Sequence, residues 1–163
     1  MKIEEYENGG RALYDEFAEA VAAVLQAAIA EHKELRLQNI QHRAKAPNSL
    51  RAKLAKAEAP IEADIGEIAK DVAGCRLIFY TNGDVYRFGQ SGILRENFTI
   101  DFDRSKIHYP DTKEEGAEFF ISENWVVSLS DARCALPEYR RFAGLRCEVQ
   151  VQTILDHAWV VLD

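Results

Sequence analysis

The sequence predicts an α+β domain with a mixed β-sheet flanked by helices. Three observations carry this. Residues from Arg11 to about Leu37 repeat apolar side chains at spacings of three and four, the period of an amphipathic helix. DVAGCRLIFY, residues 71–80, is a compact apolar run of strand length ending at Thr81-Asn82-Gly83, a turn signal. LRCEVQVQTI, residues 145–154, alternates strictly, with Cys147, Val149 and Val151 on one side and Glu148, Gln150 and Gln152 on the other.

Taken in order, Gly9 and Gly10 punctuate the start of the first helix. Its stripe is Leu13, Phe17, Val21, Val24, Leu25, Ala28 and Ile29, a core-facing pattern rich in alanine. A short apolar–polar alternation follows from Asn39 and is interrupted by Pro47. Asn48 or Ser49 is then expected to cap a helix starting at Leu50, because such side chains accept a bond from a free backbone N–H. Ala59-Pro60 ends that stretch, and IEADIGEIA reads as another short helical turn. After the 71–80 strand, DVYRFGQSGIL returns to helical spacing through Val85, Phe88 and Ile93. FTIDF, 98–102, reads as a strand, and the charged stretch 103–118 with Pro110 and Gly116 reads as a loop. EFFISENWVVSL, 118–129, reads as a long strand rich in aromatic and β-branched residues. LDHAWVVLD begins a final helix. The chain, 1–163, is therefore read as one domain without internal repeats.

Composition excludes several classes. No apolar run approaches the ~20 residues that span a bilayer, and the acidic start MKIEEYENGG is unlike a secretory signal, so the sequence reads as cytosolic. Cys75, Cys134 and Cys147 form no Cys-x-x-Cys pair, and Cys75 and Cys147, in apolar strand-like runs, are expected to be small buried hydrophobes. The net charge is −7, yet seven Lys and Arg between Lys33 and Lys56 face one acid, Glu34, which gives that segment +6 and leaves −13 for the rest. An acidic protein with one basic island points to a local polyanion site rather than a broad nucleic-acid surface.

Three pieces carry chemistry together: Arg43-x-Lys45 followed by Ser49 and Lys53; Asp71-x-x-Gly-x-Arg76; and Glu148-x-Gln150-x-x-Thr153 followed by His157-Ala-Trp159. In this order they resemble the RelA/SpoT synthetase family, which makes the alarmones ppGpp and pppGpp. The likeness runs from about Ile40 to Leu162. HRAKAPNSLRAKL resembles the family's basic ATP-binding stretch, DVAGCRLIFYTNGDVYRF its Asp-x-x-Gly-x-Arg strand and following helix, and CEVQVQTILDHAW its Glu-x-Gln-x-Arg-Thr strand.

The resemblance implies a nucleotidyltransferase-like fold and transfer of pyrophosphate from ATP to a ribose 3′-hydroxyl of GDP or GTP. It implies that Arg43 and Arg76 sandwich the adenine, that Lys45 and Lys53, with Ser49, hold phosphates, and that Asp71 and Glu148 coordinate Mg²⁺. Glu148 is also implied to orient or deprotonate the attacking hydroxyl. The acceptor side departs from the family's Gly-Tyr-x-Ser-x-His. Here FFISEN keeps Ser122 but puts Phe120 at the Tyr place and Asn124 at the His place, with Gln150 lining the same subsite. Phe120 still offers a face for stacking. Asn124, and Gln152 in place of the usual Arg, each remove a cation. A tRNA 3′ end as acceptor, as in the family's toxins, and a catalytically weak nucleotide-binding module stay open as alternatives. The acidic remainder speaks against an extensive tRNA surface. A homo-oligomer and an antitoxin partner also stay open. No His-Asp hydrolase motif is present, so alarmone breakdown is not expected. Family members continue past this helix, so truncation within the C-terminal helix is expected, with a short protein open as the alternative.

Overall fold

The computed structural model of the chain describes residues 1–108 and 122–155. A mixed five-stranded sheet runs in the order β1-β2-β5-β4-β3. Its strands are β1 Leu37–Ala44, β2 Ala73–Phe79, β3 Phe98–His108, β4 Ser122–Leu129 and β5 Cys147–Thr153. The central pair, β2 and β5, is parallel, and the other pairings are antiparallel. Helices are α1 Ile3–Glu5, α2 Arg11–Ala30, α3 Pro47–Lys56, α4 Ile65–Ile68, α5 Asn82–Gln90, α6 Ile93–Asn97 and α7 Asp131–Cys134. None is long and apolar enough to cross a membrane, among the described residues.

The apolar stripe of α2 packs on β1 and β2. Phe17, Val21, Val24, Leu25 and Ile29 are buried as the period requires, whereas Leu13 and Ala28 lie half-buried at its margins. Opposite them Cys75, Leu77, Phe79, Cys147, Val149 and Val151 fill the same core. Helices α5 and α6 continue this layer, with Phe88 against Phe79 at a ring separation of 5.5 Å. The alternate residues of β2 and β5 turn Gly74, Arg76, Glu148 and Gln150 to the other face of the sheet. That polar face carries the site.

Four sequence expectations change. The first helix ends at Ala30 rather than near Leu37, and the short alternation after it is a full edge strand, β1. Helix α3 begins at Pro47 with Ala46 as its cap residue, not at Leu50 behind Asn48 or Ser49. Proline suits the first helical position because the amide it lacks has no intrahelical partner there. Thr81-Asn82-Gly83 is not a free turn but the start of α5: Thr81 accepts from the Asp84 amide and Asp84 answers at the Thr81 amide. Strand β3 continues to His108, through residues read as loop. It passes an irregularity between Asp101 and Lys106, where Ser105 donates to the Asp101 carbonyl at 2.7 Å and accepts from the Val126 amide at 3.0 Å. The predicted 145–154 and 71–80 strands appear as β5 and β2. Phe120, His157 and Trp159 lie outside the described residues.

Candidate functional site

A pocket of about 250 Å³ opens on the polar face. Strand β1 contributes Gln41, His42 and Arg43, the β2 segment Asp71, Gly74 and Arg76, and β5 Glu148 and Gln150. Sheet register explains the grouping. Arg43 pairs with Gly74, which pairs with Glu148; Gln41 pairs with Arg76, which pairs with Gln150. Two rows across three strands thus bring residues far apart in sequence side by side. At Gly74 an added Cβ would meet nothing nearer than the Arg43 carbonyl at 4.0 Å. The backbone does not require glycine there; its small size keeps the floor clear between Arg43 and Glu148.

The groups are held in place. Arg76 donates through Nε and a terminal nitrogen to Gln150 Oε1, both at 3.2 Å, and Gln150 Nε2 donates to Glu148 Oε1 at 2.8 Å. Gln150 therefore orients both a guanidinium and a carboxylate. Burial, with the like charge of Arg43, pulls the Arg76 guanidinium below its ordinary value. Glu148 is nearly buried, and its second oxygen lies 3.8 Å from Lys70 Nζ.

Asp71 sits just ahead of β2 and each of its oxygens accepts from a lysine: Lys45 Nζ at 2.8 Å and Lys53 Nζ at 2.8 Å. Burial pushes its carboxyl up, but the hydrogen bonds and charges of the two lysines outweigh this and hold it below the ordinary carboxylate range. Lys45 is fixed through its backbone. Its amide donates to the Val72 carbonyl at 2.8 Å, and the Lys45 carbonyl accepts from the buried Tyr6 hydroxyl. Asp15 on α2 accepts from the neighbouring Ala44 amide at 2.9 Å. Lys53 projects from α3, whose Leu50 and Leu54 are buried.

Of the residues singled out from the sequence, Arg43, Asp71, Arg76, Glu148 and Gln150 line one pocket, with Lys45 and Lys53 bound to its Asp71. Ser49 is exposed on α3 and is not part of the lining. Asn124 stands directly opposite Gln150 across β4 and β5, one strand beyond the lining. Sequence reading missed Lys70, which only the fold brings to Glu148. It also missed Lys106, which β3 places opposite Asn124. For Lys106 the signal was hidden by the irregularity in β3, which breaks the alternation.

No protein-family model and no curated protein matches the sequence. Solved structures do. Small alarmone synthetase 1 from Bacillus subtilis superimposes with a TM-score of 0.70 at 17% identity, covering 98% of this chain and 76% of that one. The same protein bound to its product pppGpp gives 0.66 at 16% identity, covering 98% and 78%. Bound to AMPCPP it gives 0.64 at 18% identity, covering 91% and 70%. At these identities the likeness is one of architecture, and this chain has the fold of the small alarmone synthetases.

Proposed function

We propose that the chain is a Mg²⁺-dependent pyrophosphokinase that transfers the β,γ-pyrophosphoryl group of ATP to the 3′-hydroxyl of GDP or GTP. The observation that carries the reading is the meeting, on one pocket, of two carboxylates with two arginines, flanked by two lysines. Such transfer asks a protein for positioning and charge neutralisation rather than covalent chemistry. The pocket's groups are of the kinds that do this. Arg43 and Arg76 flank a place for a planar base, a guanidinium stack contributing ~1–2 kcal/mol once desolvated. Lys45 and Lys53 supply point charges for phosphates. The binding of an ATP analogue and of pppGpp by the structural neighbour supports nucleotides as ligands here.

Asp71 and Glu148 are the residues that would hold Mg²⁺. They fit, since they are hard oxygen donors from separate elements opening on one pocket, and this ion is commonly bound by one or two carboxylates plus substrate phosphates. The ion supplies neutralisation of charge on the transferring group. Glu148, oriented by Gln150, accepts the proton of the acceptor hydroxyl. The hydroxyl oxygen bonds to the β-phosphorus, the bond from that phosphorus to the bridging oxygen breaks, and AMP leaves with the bridging oxygen.

The test incubates the protein with Mg²⁺ and γ-labelled ATP, offering GDP, GTP and deacylated tRNA in parallel. Label on a guanosine nucleotide is expected. Label on tRNA would transfer the reading to a macromolecular acceptor, and no transfer to any of the three would overturn it.

A further inference from the structure

The ammonium groups assigned to the donor phosphates are, in the free chain, spent on the carboxylate assigned to the metal. Each Asp71 oxygen is taken by its own lysine at 2.8 Å, and the three side chains are partly buried, at 15% exposure for Lys45, 38% for Lys53 and 25% for Asp71. The second carboxylate is similarly occupied, by Gln150 on one oxygen and by Lys70 near the other. Among the described residues lining the pocket the carboxylates are Asp71 and Glu148, and Lys45, Lys53 and Lys70 stand against them.

A bare dication approaching Asp71 meets two ammonium groups against one carboxylate. It has also to displace two ammonium groups from oxygens they already hold. Like charges a few ångströms apart repel by ~1 kcal/mol in water and by several times that at the effective dielectric of a protein surface. A polyphosphate reverses the balance. Its oxygens compete for the same ammonium groups, and as the lysines turn to them the Asp71 carboxylate is released beside a newly negative ligand.

We propose that Lys45 and Lys53 guard the Asp71 carboxylate, so that this site admits a divalent metal only together with a nucleoside polyphosphate and not as the free ion. The proposal rests on the reading of the pocket as an ATP site. The two lysines then have two successive partners, Asp71 in the free protein and phosphate in the complex. Their role includes deciding the form in which the metal enters.

Mn²⁺ serves as the probe, its free concentration read by electron paramagnetic resonance as protein is added, with and without AMPCPP. A titration of AMPCPP with Mn²⁺ in the absence of protein is the reference. Wild-type protein alone is expected to leave the free Mn²⁺ signal unchanged, and with AMPCPP to remove Mn²⁺ beyond that reference. The double variant Lys45→Met, Lys53→Met is expected to bind Mn²⁺ without nucleotide, by about tenfold or more over wild type. Adding Asp71→Asn to it should abolish that gain. Uptake of Mn²⁺ by nucleotide-free wild type as avid as that with AMPCPP would overturn the guard while leaving the ATP reading in place. This arm needs no variant to fold. Failure of wild type to bind AMPCPP at all, with or without Mn²⁺, would overturn both.

Discussion

Glu148 reaches the pocket because its neighbours Cys147 and Val149 are fully buried in the core, and strand alternation turns the residue between them to the opposite face. Asp71 reaches it because Lys45 and Lys53 draw its side chain toward the end of β1 and toward α3. Both carboxylates should be indispensable to transfer, and their loss should leave the fold in place at some cost in stability. Asp71→Ala and Glu148→Ala are each expected to abolish label transfer from ATP while the far-UV circular dichroism stays that of wild type, with the melting midpoint lowered by the loss of their hydrogen bonds. Full activity in either variant would remove that residue from the mechanism. Asn124 tests the acceptor side. It lies opposite Gln150 on one side and Lys106 on the other, and under the proposed acceptor reading a cation at this position is in reach of the acceptor's phosphates. Asn124→His is expected to lower KM for GTP with KM for ATP unchanged, measured by initial rates. Unaltered KM for GTP would place acceptor phosphates elsewhere.

Among the elements, α5 shows how a local motif is enlisted by tertiary structure. Thr81 and Asp84 form a reciprocal cap that the sequence Thr-Asn-Gly-Asp contains in full. Asp84, however, is fully buried and also accepts from Arg87 at 2.7 Å and from Arg36 at 3.4 Å, a residue 48 positions away. Burial pushes its carboxyl up, but the bonds from Arg87, Thr81 and Arg36 prevail and hold it below its ordinary value of 3.8. The folded value being depressed, the stabilisation is fully present above 3.8 and is lost as pH falls through the lower folded value. Asp84→Asn should therefore cost ~1–3 kcal/mol in urea unfolding near neutral pH, and the gap to wild type should close in acid. A gap independent of pH would mean that the carboxylate charge contributes nothing.

Among the described residues, one face of the sheet is covered by a helical layer and the other carries the pocket. Residues 33–56 carry +6 in an otherwise acidic sequence, but the fold divides them: Arg36 pairs with Asp84 and Arg51 with Glu7, while Arg43 lines the pocket and Lys45 and Lys53 bind its Asp71. Much of this was legible beforehand. The helical period of α2, the strict alternation of β5 and the spacing Asp71-x-x-Gly-x-Arg76 are local properties, each imposed by backbone geometry within a few residues. They determined the secondary structure around the site and the residue types that face it. What sequence could not settle was neighbourhood. The parallel pairing of β2 with β5 joins residues 74 positions apart, Arg76 and Gln150, and the β3 irregularity restores a strand where the alternation fails. Lys70 beside Glu148, and two lysines closed on one carboxylate, arise only when separate elements pack. The sequence by itself thus determined which side chains face the same way along each strand. Only the tertiary structure decided which of them meet, because contact across a sheet depends on strand order and register, which are fixed by burying the whole core at once.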